Sequence, residues 1–91
     1  MKYTLVYTRE AKKNIEKLDH SIRKMIEKAL AMISIDPFRG KQLSYELAGL
    51  RSFRTSDYRI IYRIKRLQVL IIVISVGHRR EIYKRLKELL E

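Results

Sequence analysis

The sequence predicts an α+β fold of a single domain, residues 1–91, and three observations support this prediction. Apolar residues recur at helical spacing between positions 8 and 35. They alternate with polar residues between positions 50 and 65, as half-buried strands require. They then run almost without interruption from Val69 to Val76, which is typical of a central strand covered on both faces. No linker, repeat or low-complexity segment divides the chain.

The first half of the chain is predicted to be a strand followed by an antiparallel hairpin of two helices. Lys2 to Tyr7 has the alternation of a short strand. Thr8 is a suitable N-cap for a first helix that ends near Asp19-His20. Asp19 or Ser21 can cap the second helix, which stops at Asp36-Pro37 because the residue before a proline resists helical dihedrals.

The second half is predicted to be a three-stranded antiparallel meander that completes one sheet, followed by a short C-terminal helix. A connector, residues 38–49, precedes the meander, with Gly40 and Gly49 as its expected turn points. Leu43 and Leu47 are expected to tuck under this connector. The last helix starts near Glu81, since apolar residues recur at helical spacing from there to the end.

The composition indicates a polyanionic partner. The net charge is +11, with 21 Lys and Arg against 10 Asp and Glu, and such an excess most often serves nucleic-acid binding. A membrane is not expected as a partner, because the longest apolar run is far shorter than the roughly 20 residues of a span. Without cysteine or a signal-peptide pattern, the chain is expected to be cytoplasmic.

Three arginines are expected to converge at one end of the sheet. If Ser56-Asp57 is a two-residue hairpin turn, Arg54 faces Arg59 directly across the strands. Like charges placed opposite each other destabilise a sheet, so this pair indicates that an anion lies over that face. Arg79, just after the central strand, can join them to form a phosphate clamp.

Sequence pattern alone allows more than one role for Tyr83 and for His78. Tyr83 fits a core aromatic equally well as a residue that stacks on a base or places its hydroxyl on a reacting ribose or phosphate. His78 fits a structural or phosphate-binding residue better than a general base.

Two-metal cleavage of nucleic acid is disfavoured by these residue types, whereas metal-free RNA scission is compatible with them. The chain has no paired carboxylates to hold two metal ions, and its two histidines are far apart, so no metal site and no cofactor are predicted. RNA supplies its own nucleophile, the 2′-hydroxyl, and the protein need only orient the attack, move protons and stabilise negative charge.

Several segments resemble the RelE/ParE superfamily of toxin–antitoxin toxins, and its RelE branch in particular. The resemblance covers essentially the whole chain, including the order of elements. It is carried by Leu47-Ala48-Gly49-Leu50, Arg54, Asp57-Tyr58-Arg59-Ile60-Ile61-Tyr62, Ile74-Ser75-Val76-Gly77-His78-Arg79 and Tyr83.

The resemblance implies an endoribonuclease, or mRNA interferase, that inhibits translation by cutting mRNA in the ribosomal A site without metal. It also implies a cognate RelB-like antitoxin that neutralises the toxin. Arg59 and Arg79 match the family's phosphate-binding and transition-state arginines. Tyr83 matches the family's C-terminal tyrosine, and Arg54 matches a basic residue on the preceding strand. These four are the predicted catalytic residues.

One position departs from the family pattern, because Ser52 stands where a further basic residue is usual. Arg51, although it would point to the opposite face of a regular strand, and His78 are the candidates to fill this gap. The predicted RNA-binding residues around the centre are Arg51, Arg63, His78 and Arg80. For Arg63, near the next turn, solubility of the sheet edge is the favoured explanation.

Two other functions fit the same fold and charge. ParE-like members poison DNA gyrase, whereas the segment from Gly77 to Tyr83 favours the ribosome-dependent nuclease. A non-catalytic RNA- or ribosome-binding module would also keep the basic face. The sequence gives neither the codon preference nor the antitoxin's identity.

Overall fold

A five-stranded sheet with helices on both faces forms the protein in the computed structural model, which describes residues 2–91. Short 3₁₀ turns at Pro37–Arg39, Tyr45–Leu47 and Arg66–Gln68 connect the longer elements. In chain order these are β1 (Thr4–Tyr7), α1 (Arg9–Glu16), α2 (His20–Ile35), β2 (Lys41–Gln42), β3 (Arg51–Thr55), β4 (Tyr58–Lys65), β5 (Leu70–His78) and α3 (Ile82–Leu90).

The strand order is β1-β5-β4-β3-β2. Strands β3, β4 and β5 form the predicted antiparallel meander. The sheet as a whole is mixed, because β1 pairs with β5 in parallel. The short strand β2, which pairs antiparallel with β3, was not predicted and adds an edge strand from within the connector.

The helices begin and end close to the predicted positions. The Thr8 hydroxyl accepts a hydrogen bond from the Ala11 amide at 3.1 Å, which confirms Thr8 as the N-cap of α1. Helix α2 follows Asp19 and ends immediately before Asp36-Pro37. Within residues 2–91, none of the helices has the length and apolar character needed to cross a membrane.

Two apolar cores lie on opposite faces of the sheet. On one face, α1 and α2 cover buried strand residues that include Ile60, Tyr62 and Val73. On the other face, Ile82 and Leu86 of α3 pack against Ile61 of β4. Leu47 and Leu50 complete this second core, and Leu43 packs against it, as predicted for the connector. Alternation along β4 is what divides its residues between the two cores.

A bulge interrupts the pairing of β4 with β5, and side chains of the first helical segment stabilise it. Ile61 pairs with Ser75 and Tyr62 pairs with Val73, so Ile74 has no partner on β4. The Thr8 hydroxyl donates to the Ile74 carbonyl at 2.7 Å, and Asn14 accepts a hydrogen bond from the Val76 amide at 2.9 Å. Thr8 therefore caps α1 and also provides a hydrogen-bond donor for the Ile74 carbonyl of the bulged strand.

Tyr62 anchors the connector to the centre of the sheet. Its hydroxyl donates to the Pro37 carbonyl at 2.6 Å and accepts a hydrogen bond from the Gly40 amide at 3.1 Å. The chain bends at Gly40, as predicted, directly after the 3₁₀ turn, although the Gly40 backbone is extended and not left-handed. A β-carbon at this position would collide with the Tyr62 hydroxyl, and this close approach accounts for the glycine. Gly49, with φ of 93°, does occupy a left-handed position.

Candidate active site

An open cleft of about 540 Å³ lies on the sheet face that carries α3. It is bounded by strands β2, β3 and β4 and by the first turn of α3. Its lining residues are Arg39, Lys41, Ser52, Phe53, Arg54, Arg59 and Tyr83. Four of these seven residues are cationic, and none is acidic.

The β3–β4 hairpin places two of these arginines side by side. The turn consists of Ser56 and Asp57, and Ser56 has a positive φ of 54°, as the first central residue of a type II′ turn does. Arg54 and Arg59 are paired in register across this hairpin, which confirms their predicted juxtaposition. The Arg59 guanidinium donates hydrogen bonds to the carbonyls of Ser56 and Tyr58 at 3.2 and 3.0 Å.

Tyr83 reaches the cleft from α3 and contacts Ser52. Its hydroxyl lies 2.9 Å from the Ser52 hydroxyl, within hydrogen-bonding distance. Ser52 is only 6% exposed, and it lies two residues before Arg54 on the same face of β3. The small side chain at this position leaves room for the phenol. Tyr83 is partly buried against the second core, so it both packs and lines the cleft.

Two cationic residues of the cleft, Arg39 and Lys41, were missed by the sequence analysis. Lys41 pairs with Ser52 across strands β2 and β3, so its side chain emerges beside the position that lacks the usual basic residue. Arg39 ends the 3₁₀ turn that leads into β2. Both residues are exposed. The only signal available was the basic character of the connector, because a two-residue strand has no alternation to detect.

Arg79 lies at the hairpin turn rather than among the residues that line the cleft. Its backbone amide donates to the Asp57 carbonyl at 2.7 Å, and its side chain forms an ion pair with the Asp57 carboxylate at 3.4 Å. Both side chains are at least half exposed. The structure therefore brings Arg79 to the same end of the sheet as Arg59, but leaves its guanidinium paired with a carboxylate.

His78 and Arg51 lie on the opposite face, the one that carries α1 and α2. His78 pairs with Tyr58, and their rings make an edge-to-face contact with centroids 5.6 Å apart. The Arg51 guanidinium donates to the carbonyls of Phe38 and Gly40 at 3.2 and 2.8 Å and lies over the Phe38 ring. Neither residue lines the cleft.

The remaining predicted RNA-binding residues are exposed and separate from the cleft. Arg63 lies further along β4, paired with Ile72. Arg80 lies in the turn between β5 and α3, where its amide donates to the His78 ring nitrogen at 3.2 Å. The structure thus groups Arg54, Arg59 and Tyr83 in one cleft, with Arg79 at the same end of the sheet.

The side chains of the cleft are of types that can bind a phosphodiester. Guanidinium groups donate paired hydrogen bonds to phosphate oxygens and remain charged at any physiological pH. The phenol of Tyr83 offers both a stacking surface and a hydroxyl. Across residues 2–91, His, Asp and Glu do not gather in groups of three or more that could hold a metal ion.

Comparisons with known proteins agree with the fold. Residues 5–83 match a family model described as the ParE toxin of the type II toxin–antitoxin system parDE. The toxin RelG of Mycobacterium tuberculosis (strain ATCC 25618 / H37Rv) is 38% identical over 87 residues, which cover 93% of this chain and 100% of that protein.

Solved structures of toxins, alone and with antitoxin, have the same fold. The toxin–antitoxin complex RelBE2 of M. tuberculosis matches with a TM-score of 0.80 and 36% identity, covering 87% of this chain and 100% of that chain. The isolated RelE toxin of E. coli matches with a TM-score of 0.72 and 25% identity, covering 98% and 99%. The shared architecture is that of toxins from type II toxin–antitoxin systems. This chain belongs to the RelE/ParE family of such toxins.

Proposed function

We propose that this toxin is a ribosome-dependent endoribonuclease that cleaves mRNA in the A site by attack of the RNA's own 2′-hydroxyl, without a metal ion. Cleavage would inhibit translation. The toxin would act in the cytoplasm, where ribosomes and mRNA are found.

The observation that carries the proposal is the cleft beside the β3–β4 hairpin. Four of its lining side chains are cationic and none is acidic, so its potential favours a phosphodiester. In 2′-hydroxyl attack, a second negative charge develops on the phosphorus oxygens, and preorganised guanidinium groups stabilise such charge most effectively. Arg59 and Arg54 stand directly opposite each other at this position.

We assign a role to each predicted catalytic residue. Arg59 and Arg54 hold the scissile phosphate and neutralise its developing charge. Tyr83, held at the cleft wall by Ser52, orients the nucleotide by stacking or through its hydroxyl. Arg79 joins the phosphate when RNA displaces the Asp57 carboxylate, with which it forms an exposed ion pair of little strength.

A cognate antitoxin is the second proposed partner. The E. coli RelBE and M. tuberculosis RelBE2 structures are toxin–antitoxin complexes, and the toxins in them share this fold. A RelB-like antitoxin that covers the basic cleft would keep RNA from the arginines. Acidic side chains on that antitoxin would complement the net charge of +11.

Primer extension on a defined mRNA, with purified ribosomes present or omitted, tests the nuclease directly. We expect cuts within the A-site codon. These cuts should require ribosomes, and they should appear only when antitoxin is absent. Uncut mRNA on programmed ribosomes would overturn the proposal. Simple RNA binding would not discriminate, because a protein of this charge binds RNA nonspecifically at low salt.

Inhibition of DNA gyrase is the second candidate, because the matching family model is the one described as ParE. A supercoiling assay run beside the primer extension separates the two activities. Loss of supercoiling or trapped gyrase–DNA complexes, without mRNA cuts, would assign the protein to the gyrase inhibitors. If neither activity appears, the basic face would serve a non-catalytic RNA- or ribosome-binding module.

A further inference from the structure

Cleavage by 2′-hydroxyl attack needs a proton at the departing oxygen. As the 2′-oxygen bonds to phosphorus, the bond from phosphorus to the 5′-oxygen breaks and leaves its electron pair on that oxygen. An alkoxide is a poor leaving group, so an acid placed beside it accelerates the step, typically by about 10²- to 10⁴-fold. An inference about this acid rests on the proposed nuclease function.

The cleft contains few groups that can donate a proton. Arg39, Arg54 and Arg59 are guanidinium groups, which hold their protons too tightly to act as efficient acids. The Tyr83 hydroxyl, which lies against Ser52, already has the role of orienting the nucleotide in the proposed function. His78 lies on the opposite face of the sheet. The remaining acid is the ammonium group of Lys41.

The position of Lys41 suits this role. Lys41 stands opposite Ser52 across an antiparallel pair, which places the two Cα atoms roughly 5 Å apart. Its long flexible side chain can therefore reach over Ser52 toward a phosphate held by Arg54 and Arg59. None of the ion pairs among residues 2–91 involves Lys41, so its ammonium is available to a substrate.

We propose that Lys41 is the general acid of this toxin and brings to the cleft, from β2, a basic side chain beside Ser52 of β3. The Lys41 ammonium transfers a proton to the 5′-oxygen as the bond to phosphorus breaks. The 2′-hydroxyl proton passes to solvent, and solvent later reprotonates the lysine. The products are a 2′,3′-cyclic phosphate and a free 5′-hydroxyl, so atoms and charge balance without a further reactant.

An mRNA with sulfur in place of the scissile 5′-oxygen separates proton donation from binding. A thiolate leaves readily without protonation, so a missing acid no longer matters on that substrate. Single-turnover cleavage on programmed ribosomes is measured for the oxygen and sulfur mRNAs at saturating toxin. The cut position is mapped first with the wild-type protein.

We expect Lys41→Ala to lower the single-turnover cleavage rate of the oxygen mRNA by about 100-fold or more. On the sulfur mRNA, the cleavage rate of the same variant should be within a few-fold of the wild-type rate. Lys41→Arg should behave in the same way, because it keeps the positive charge but is a poor acid. Lys28→Ala, which removes one exposed lysine from α2, is the matched control and should resemble wild type on both substrates.

Three results would overturn the inference. Wild-type rates for Lys41→Ala on the oxygen mRNA would show that no proton comes from Lys41. An equal loss on both substrates would show that Lys41 only binds RNA. In either case, cleavage by the wild-type protein would still support the nuclease function. If the wild-type protein fails to cut ribosome-bound mRNA, both the nuclease function and the role of Lys41 are overturned. Lys41 is exposed on an edge strand, so thermal melting should show both variants folded.

Discussion

Arg54 and Arg59 form a pair that folding alone does not favour. Two guanidinium groups directly opposite each other on a sheet repel, whereas opposite charges would attract at the same positions. An anion between the two side chains would turn the repulsion into two attractive contacts.

Sulfate should therefore stabilise the wild-type protein by occupying this position. We expect a larger rise in Tm with sodium sulfate than with sodium chloride at equal ionic strength, and a smaller rise for Arg54→Ser. Sulfate also stabilises proteins in general, so Arg9→Ser on α1 serves as the control that keeps the full response. Equal responses in all three proteins would mean that the pair holds no anion.

Arg79 offers a test of chemistry without a change in fold. Its ion pair with Asp57 is exposed, so Arg79→Ala should change the free energy of unfolding by less than about 0.5 kcal/mol. Ribosome-dependent cleavage should be abolished, because one of the charges on the phosphate is lost. Arg9→Ala, which removes an exposed guanidinium from α1, is the matched control. Full cleavage by folded Arg79→Ala protein would contradict the assignment.

The connector shows how a single buried hydroxyl can position an element of the site. Tyr62 bonds to Pro37 and Gly40, and strand β2 begins at the next residue. Burial raises the pKa of the Tyr62 phenol, which keeps its proton available for the Pro37 carbonyl. The location of Lys41 beside Ser52 thus depends on a contact made from the centre of the sheet.

Tyr62→Phe should loosen this connector. The change leaves the Gly40 amide and the Pro37 carbonyl without their partner, which costs about 1–3 kcal/mol for buried polar groups. Denaturant unfolding measures the loss. Tyr45, which is 90% exposed, provides the control, since Tyr45→Phe should leave stability unchanged. Equal stability of the two variants would contradict the anchoring role of Tyr62.

Strand and helix patterns revealed most of the elements but not β2. The alternation in β3 and β4 and the two-residue turn were sufficient to predict that Arg54 faces Arg59. Strand β2 has only two residues, and its pairing depends on the contact of Tyr62 with Gly40, which no local pattern contains. For this reason Arg39 and Lys41 were missed, although they complete the cleft.

Long-range packing decided which face each candidate residue occupies. Regular alternation correctly put Arg51 on the face opposite Ser52. The sequence analysis placed His78 among the RNA-binding residues around the centre, but His78 pairs with Tyr58 over the first core. Arg79 itself is held at the turn by Asp57, a contact that joins residues far apart in the chain. The parallel pairing of β1 with β5 likewise depends on the whole fold.

The two faces of the molecule are joined at one edge by an ion pair between α1 and α3. The Arg85 guanidinium donates to both oxygens of Glu10 at 3.3 and 3.4 Å, and the Asn14 amide donates at 3.0 Å. These hydrogen bonds, that of Arg85 foremost, hold the pKa of Glu10 below its usual value of 4.5. The pair links residues that are 75 positions apart and helps to fix the helix that carries Tyr83.

The contribution of this ion pair to stability should depend on pH. Because the pKa of Glu10 is lowered on folding, its contribution is complete above about pH 4.5 and is lost as the pH falls through the lowered value. Arg85→Ala should therefore melt below wild type at pH 7, and the difference should shrink in acid. Lys84→Ala, an exposed neighbour, should show no such change. If the difference in Tm between Arg85→Ala and wild type stays constant with pH, Glu10 is not the source of that difference.

The central claim is that the basic cleft cuts ribosome-bound mRNA through the 2′-hydroxyl of the substrate. The most direct test is cleavage on programmed ribosomes of two mRNAs that differ only by a 2′-deoxy nucleotide at the scissile position. We expect the ribose form to be cut, leaving a 2′,3′-cyclic phosphate, and the deoxy form to remain intact. Equal cutting of both mRNAs, or a 3′-hydroxyl product, would contradict this mechanism.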